Sequence, residues 1–213
     1  MKNDLTELVF ILDKSGSMSG LEGDTIGGFN SMIERQKKEA GCALVTTVLF
    51  SNESETVHDR VNIQKIEKLT ERDYRVGGCT ALLDAIGFAV KHVSDVHRYI
   101  RPEDVPAKTM FVITTDGMEN ASRVYSADKV KKLIEEKKQQ GWEFLFLGAN
   151  IDAIRTADRL GIFADHASNF VPDSRGVKRS YRSMSRAVSD ARCGKHFSAD
   201  WKLEVESDFF DRG

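Results

Sequence analysis

The chain has 213 residues, 40% of them hydrophobic and 30% charged, with a formal net charge of −2. That suits one globular domain with a substantial core, and the near-neutral charge argues against a general nucleic-acid or membrane-surface binder. No apolar run reaches the length of a bilayer span, and no low-complexity linker or internal repeat interrupts the chain.

The amino terminus reads MKNDLTELVFIL and runs into the polar DKSGS rather than into a small-residue cleavage site. It is therefore expected to be a first strand (8–12) and not a leader peptide, which points to a cytoplasmic protein. A helical pattern follows over 21–39, with Ile26, Phe29, Met32 and Ile33 as its apolar positions. A second strand is expected over 42–50. TVHDRVNI (56–63) alternates after the turn residues SNES, as an edge strand of a hairpin does. Residues 80–100 carry apolar side chains at helical spacing and stop before Pro102. Strands at 110–115, 144–149 and 168–171 then alternate with helices at 126–140, 151–160 and 174–192, Asn150 being the expected cap of the second. In the last helix Arg175, Lys178, Arg179, Arg182 and Arg186 lie opposite the apolar stripe and are expected to form a solvated face. The tail from Cys193 is too apolar for a linker; it is expected to pack back on a domain of residues 1–192, with an extra strand near 201–206.

Strands alternating with helices predict an α/β fold, with a mostly parallel sheet covered on both faces and one antiparallel edge strand. In such sheets the functional crevice lies beyond the carboxyl ends of the strands. Asp13 ends the first strand within DKSGSM, Asp116 ends MFVITT, and Thr80 opens a helix after Gly77 and Gly78. With Ser15 and Ser17 these supply two carboxylates and hydroxyls, with no sulfur or imidazole. That is the ligand preference of a hard divalent cation, Mg²⁺ or Mn²⁺. Such an ion keeps open positions, which an outside carboxylate can fill. Cys42, Cys79 and Cys193 show neither a disulfide framework nor zinc spacing, and His92 and His97 are five residues apart, off the helical spacing of paired ligands.

The D-x-S-x-S of residues 13–17, the threonine in RVGGCTAL and the aspartate in ITTDG occur in the order found in von Willebrand factor type A domains, which the chain resembles over about residues 5–192. The resemblance implies a Rossmann-like, doubly wound fold. It also implies a metal-ion-dependent adhesion site in which Ser15 and Ser17, with one or more of Asp13, Thr80 and Asp116, hold the ion directly or through water. A glutamate or aspartate from a partner protein would complete the coordination. Bacterial members resemble scaffolds or adaptors, some linked with AAA-type ATPases, so the implied role is non-enzymatic protein binding. The rival is a metal-dependent hydrolase or phosphotransferase. An aspartate after the first strand also begins haloacid-dehalogenase-type phosphatases, but their D-x-D has its second aspartate where Ser15 stands here, and no Walker-type loop is present. Glu119 and Asn120 are expected on the same rim, and Asp84 is expected to pack or hydrogen-bond beside it.

Overall fold

The computed structural model describes residues 4–195 and 198–212. Six strands form one sheet: β1 (Thr6–Asp13), β2 (Ala43–Phe50), β3 (Ser54–Asn62), β4 (Lys108–Thr115), β5 (Glu143–Gly148) and β6 (Ala167–Asn169), in the spatial order β3-β2-β1-β4-β5-β6. All neighbours are parallel except β2 and β3, which form the expected antiparallel hairpin. This is the doubly wound, Rossmann-like architecture. The chain leaves β1 toward β2 on one side and later returns to β4 on the other, so the strand order reverses between β1 and β4. Their carboxyl ends, Asp13 and Thr115, flank that switch point.

Side chains alternate along the central strand, and each face collects its own core. Leu8, Phe10 and Leu12 face α1 (Glu22–Gln36) and α5 (Ser174–Arg192), while Val9 and Ile11 face α2 (Leu82–Tyr99), α3 (Ala127–Gln139) and α4 (Ala153–Arg159). Among the described residues no helix is long and apolar enough to cross a membrane.

Several local expectations are corrected. Asn150 does not cap α4; its backbone lies in the left-handed region (φ 55°), and Asp152 caps the helix by accepting from the Arg155 N–H at 2.9 Å. The side chain must sit one residue before the first helical turn to reach that N–H. Residues 201–206 form no strand. Trp201 lies within a short 3-10 turn (Ala199–Lys202) and α6 (Leu203–Arg212) follows. Its apolar residues recur at helical rather than alternating spacing once Trp201 and Val205 are both buried, and both join the core beside α5. The basic residues of α5 do form an exposed face, with Arg175, Lys178, Arg182 and Arg186 exposed and Arg179 half-buried, and most of them are ion-paired there. Arg175 and Arg179 each reach Asp208 at 3.0 Å, Arg212 of α6 also binds Asp208, and Arg182 meets Glu204 at 2.7 Å. Lys178 lies 3.6 Å from Asp24.

Candidate functional site

The rim at the switch point is built from three loops laced by main-chain hydrogen bonds. Gly16 N–H donates to Gly78 C=O at 3.0 Å, and Gly77 N–H donates to Lys14 C=O at 2.9 Å, which ties the 13–18 loop to the glycine pair. Gly78 needs its lack of a side chain: its φ is 80°, and a Cβ there would lie 2.9 Å from Asn52 Oδ1. Gly77 has open space at the same test, so it serves through its N–H and not through close approach. The next pair is reciprocal. Thr80 N–H donates to Asn120 Oδ1 at 2.9 Å and Asn120 N–H to Thr80 C=O at 3.1 Å, joining the glycine loop to the segment after Asp116.

These connections bring Asp13, Ser15, Ser17, Thr80 and Asp116 to one place. Ser15 N–H holds Asp13 Oδ1 at 2.7 Å, and Thr115 Oγ1–H donates to Asp13 Oδ2 at 2.6 Å. Ser17 donates to Asp116 Oδ1, which leaves Ser15 to donate to Ser17 Oγ across 3.0 Å. Thr80 Oγ1 belongs to the same pocket: a Cβ on Gly117 would lie 3.2 Å from it and 3.0 Å from Ser17 Oγ. Asp13, Ser15, Thr80 and Asp116 are buried, whereas Ser17 is exposed, so the cluster opens outward at Ser17.

The electrostatics are those of a crowded anionic site. Burial raises the Asp13 carboxyl above its ordinary value against the hydrogen bonds from Ser15 and Thr115. Burial also raises Asp116, against the bond from Ser17, and the neighbouring Asp13 charge adds to the rise. Asp116 Oδ2 is buried and has no hydrogen-bond partner. An unpaired buried carboxylate oxygen beside a second carboxylate is costly unless a cation or proton meets it. The donor set fits a hard divalent ion. Among the described residues no three His, Cys, Asp or Glu side chains form a metal cluster, because the donors here beyond the two aspartates are hydroxyls.

Residues the sequence did not single out hold this geometry. Tyr74, buried, donates its hydroxyl to the main-chain oxygen of Asp13. Thr115 fixes Asp13 as described; its place at the end of a strand beside an aspartate was the only available signal, whereas nothing in the sequence marks Tyr74. Asp84 accepts N–H groups from Arg123 (2.8 Å), Val124 (3.0 Å) and Tyr125 (2.8 Å), and Glu119 accepts from Leu83, Ala121 and Ser122. Burial works to raise the Asp84 carboxyl, but the amides of Arg123, Tyr125 and Val124 prevail and hold it below its ordinary value. Both acids therefore shape the 117–125 loop on the first turns of α2.

The profile of the von Willebrand factor type A domain matches residues 7–177. The chain belongs to the von Willebrand factor type A family. Solved structures of the same fold include the von Willebrand domain of a type V pili tip protein from Porphyromonas gingivalis, at 10% identity and TM-score 0.62, covering 87% of this chain and 95% of that one. Manganese-loaded TRAP protein of Plasmodium vivax aligns at 16% identity and TM-score 0.58, over 84% of this chain and 74% of its own. Proximal thread matrix protein 1 of the mussel byssus, solved with a zinc-occupied MIDAS motif, aligns at 12% identity and TM-score 0.60 over 89% of this chain. This vWA chain spans 47% of the length of that mussel protein. A comparison with curated proteins gives no match.

Proposed function

We propose that this vWA domain is a cytoplasmic, bacterial-type binding module with an intact adhesion site, in which Asp13, Ser15, Ser17, Thr80 and Asp116 hold Mg²⁺ or Mn²⁺. The observation that carries the reading is the buried, unpartnered Asp116 Oδ2 set among three hydroxyls and a second raised-pKa carboxylate. The ion, when bound, supplies positive charge and an open coordination position for an acidic side chain of a partner. The chain's own residues do the rest. Ser15 N–H and Thr115 orient Asp13, Ser17 orients Asp116, and the exposed Ser17 marks the face from which a partner carboxylate arrives. The metal-occupied structures of the mussel and Plasmodium proteins support divalent binding at such a rim. A scaffold in an AAA-ATPase-linked assembly is the setting this reading suggests.

Binding is favoured over hydrolysis because Ser15 occupies the position where a second aspartate would act as acid and base. His58, His97 and His166 contact Thr47, Glu7 and the Phe144 carbonyl, and His92 pairs with Asp59, so each of these rings is engaged by a partner outside the Asp13–Asp116 cluster. The test is capture of partners from the source lysate in Mg²⁺ and in EDTA, with wild type and Asp116→Ala. The expected result is a protein retained by wild type in Mg²⁺ alone; equal retention in all four arms would overturn metal-bridged capture.

A further inference from the structure

A groove of about 1140 Å³ lies beside the rim, between the β2–β3 hairpin and the 117–125 loop. Val48, Ala81, Ala85 and Phe88 form its floor, with Asn52 and Asn120 at its rim end. Those two asparagines also hold the Thr80 loop: Asn52 Oδ1 accepts from Cys79 N–H at 2.5 Å and Asn120 Oδ1 from Thr80 N–H at 2.9 Å. The groove and the cation site therefore share walls.

The loop beside it displays apolar side chains to solvent. Met118 is 73% exposed, Val124 54%, and Phe88, on the facing helix, 47%. These side chains are not left out by a slack segment. The amides of residues 121–125 are held by Asp84 and Glu119, and the Tyr125 ring fits where Gly87 has no Cβ and packs edge-on against Phe88 at 5.2 Å. A chain that fixes apolar groups in water through two half-buried carboxylates, each accepting several consecutive amides, has preorganised a contact surface, which lowers the ordering cost of association.

We infer that the groove receives an extended segment of the partner, in which the metal-bound acidic residue is followed or preceded by a bulky apolar residue that packs on Phe88 and Val124. The inference rests on the metal-capture reading above. The spacing follows from geometry. Ala81, the N-cap of α2 and the neighbour of the candidate ligand Thr80, stands seven residues before Phe88, about 10 Å at the helical rise, and an extended chain covers that in about three residues. The groove is bordered by residues from the hairpin, from α2 and from the 117–125 loop, as a surface for a chain segment is.

The test is selection of a random eight-residue peptide library with one fixed glutamate on the full chain in Mg²⁺, for wild type, Phe88→Ser, Val124→Ser and Asp116→Ala. Phe88 and Val124 are exposed enough for their variants to fold, which melting temperature and Mg²⁺ titration check. Wild type is expected to enrich peptides with an aromatic or large aliphatic residue about three positions from the glutamate. Each groove variant is expected to bind those peptides about tenfold more weakly while keeping its Mg²⁺ affinity. Glutamate peptides enriched with no apolar preference, or with a preference unchanged in both groove variants, overturn the groove and leave metal capture standing. The same peptides enriched equally by Asp116→Ala overturn metal capture instead. No enrichment by wild type overturns the groove.

Discussion

Gly117 sits where any side chain would press on two of the candidate ligands. A Cβ 3.0 Å from Ser17 Oγ and 3.2 Å from Thr80 Oγ1 is close enough that one hydroxyl must move. Gly117→Ala is therefore expected to weaken Mg²⁺ binding about tenfold while changing metal-free stability little, as titration calorimetry and melting would show. The carboxyls give a pH prediction of definite sign. Asp13 and Asp116 have raised pKa values in the fold, so the metal-free protein binds protons more tightly folded than unfolded and gains stability as pH falls toward those values. The cation competes with those protons. The rise in melting temperature caused by Mg²⁺ should thus shrink as pH falls toward the carboxylate range, the loss beginning above the ordinary carboxylate value. An Mg²⁺ increment independent of pH would contradict ligation by these two aspartates.

Between elements, the loop from 117 to 125 depends on α2 more than on its own sequence. Asp84 alone satisfies three consecutive amides of that loop, and hydrogen bonds to a charged group contribute about 1.5–3 kcal/mol. Asp84→Ala should therefore speed amide exchange at 123–125 at least about tenfold while the strands of the sheet keep their protection. Helix α1 meets α5 through a similar dependence on one residue. A Cβ at Gly28 would lie 2.3 Å from Cδ2 of the Tyr181 ring, and Tyr181 is buried. Gly28→Ala should destabilise by about 1–3 kcal/mol through overpacking, read in a denaturant titration. A neutral result would mean that α5 can shift away from α1 at little cost.

At the scale of the molecule, the carboxyl-terminal segment closes the face that α5 begins. Trp201 Nε1–H donates to Asp165 C=O at 2.9 Å, and Lys202 Nζ reaches the carbonyls of Ala164 (3.0 Å) and Ala167 (3.1 Å). Asp208 is fully buried, and Arg212 first, then Arg179 and Arg175, hold its carboxyl below the ordinary range. Its contribution is present above about pH 4 and fades as pH falls through the lowered value. Magnitudes separate this ion cluster from its neighbour. Arg182–Glu204 is exposed and worth less than about 1 kcal/mol, whereas Asp208 is buried and accepts from three guanidiniums at once, so its removal costs more. Denaturation should accordingly show Glu204→Ala near wild type and Asp208→Ala clearly destabilised; equal effects would show that the tail is held by surface charge.

The alternation of apolar strands with helices, the hairpin after the second strand and the ordered set of Asp13, Ser15, Ser17, Thr80 and Asp116 were all legible before any coordinates. Local patterning encodes buried parallel strands directly, and strand-end polar residues mark the rim of such a sheet. What only the tertiary structure decided depends on partners distant in sequence. Tyr74 beneath Asp13 and Asp208 among three arginines are single residues whose roles come from what folding brings to them, and Asp84, expected to hydrogen-bond beside the rim, finds its particular amides only in the fold. The tail was misread as a strand because a short apolar segment has no decisive period of its own. Burial of Trp201 and Val205 against α5 sets it as a helix, since that docking, and not local propensity, supplies most of the stability of a helix so short.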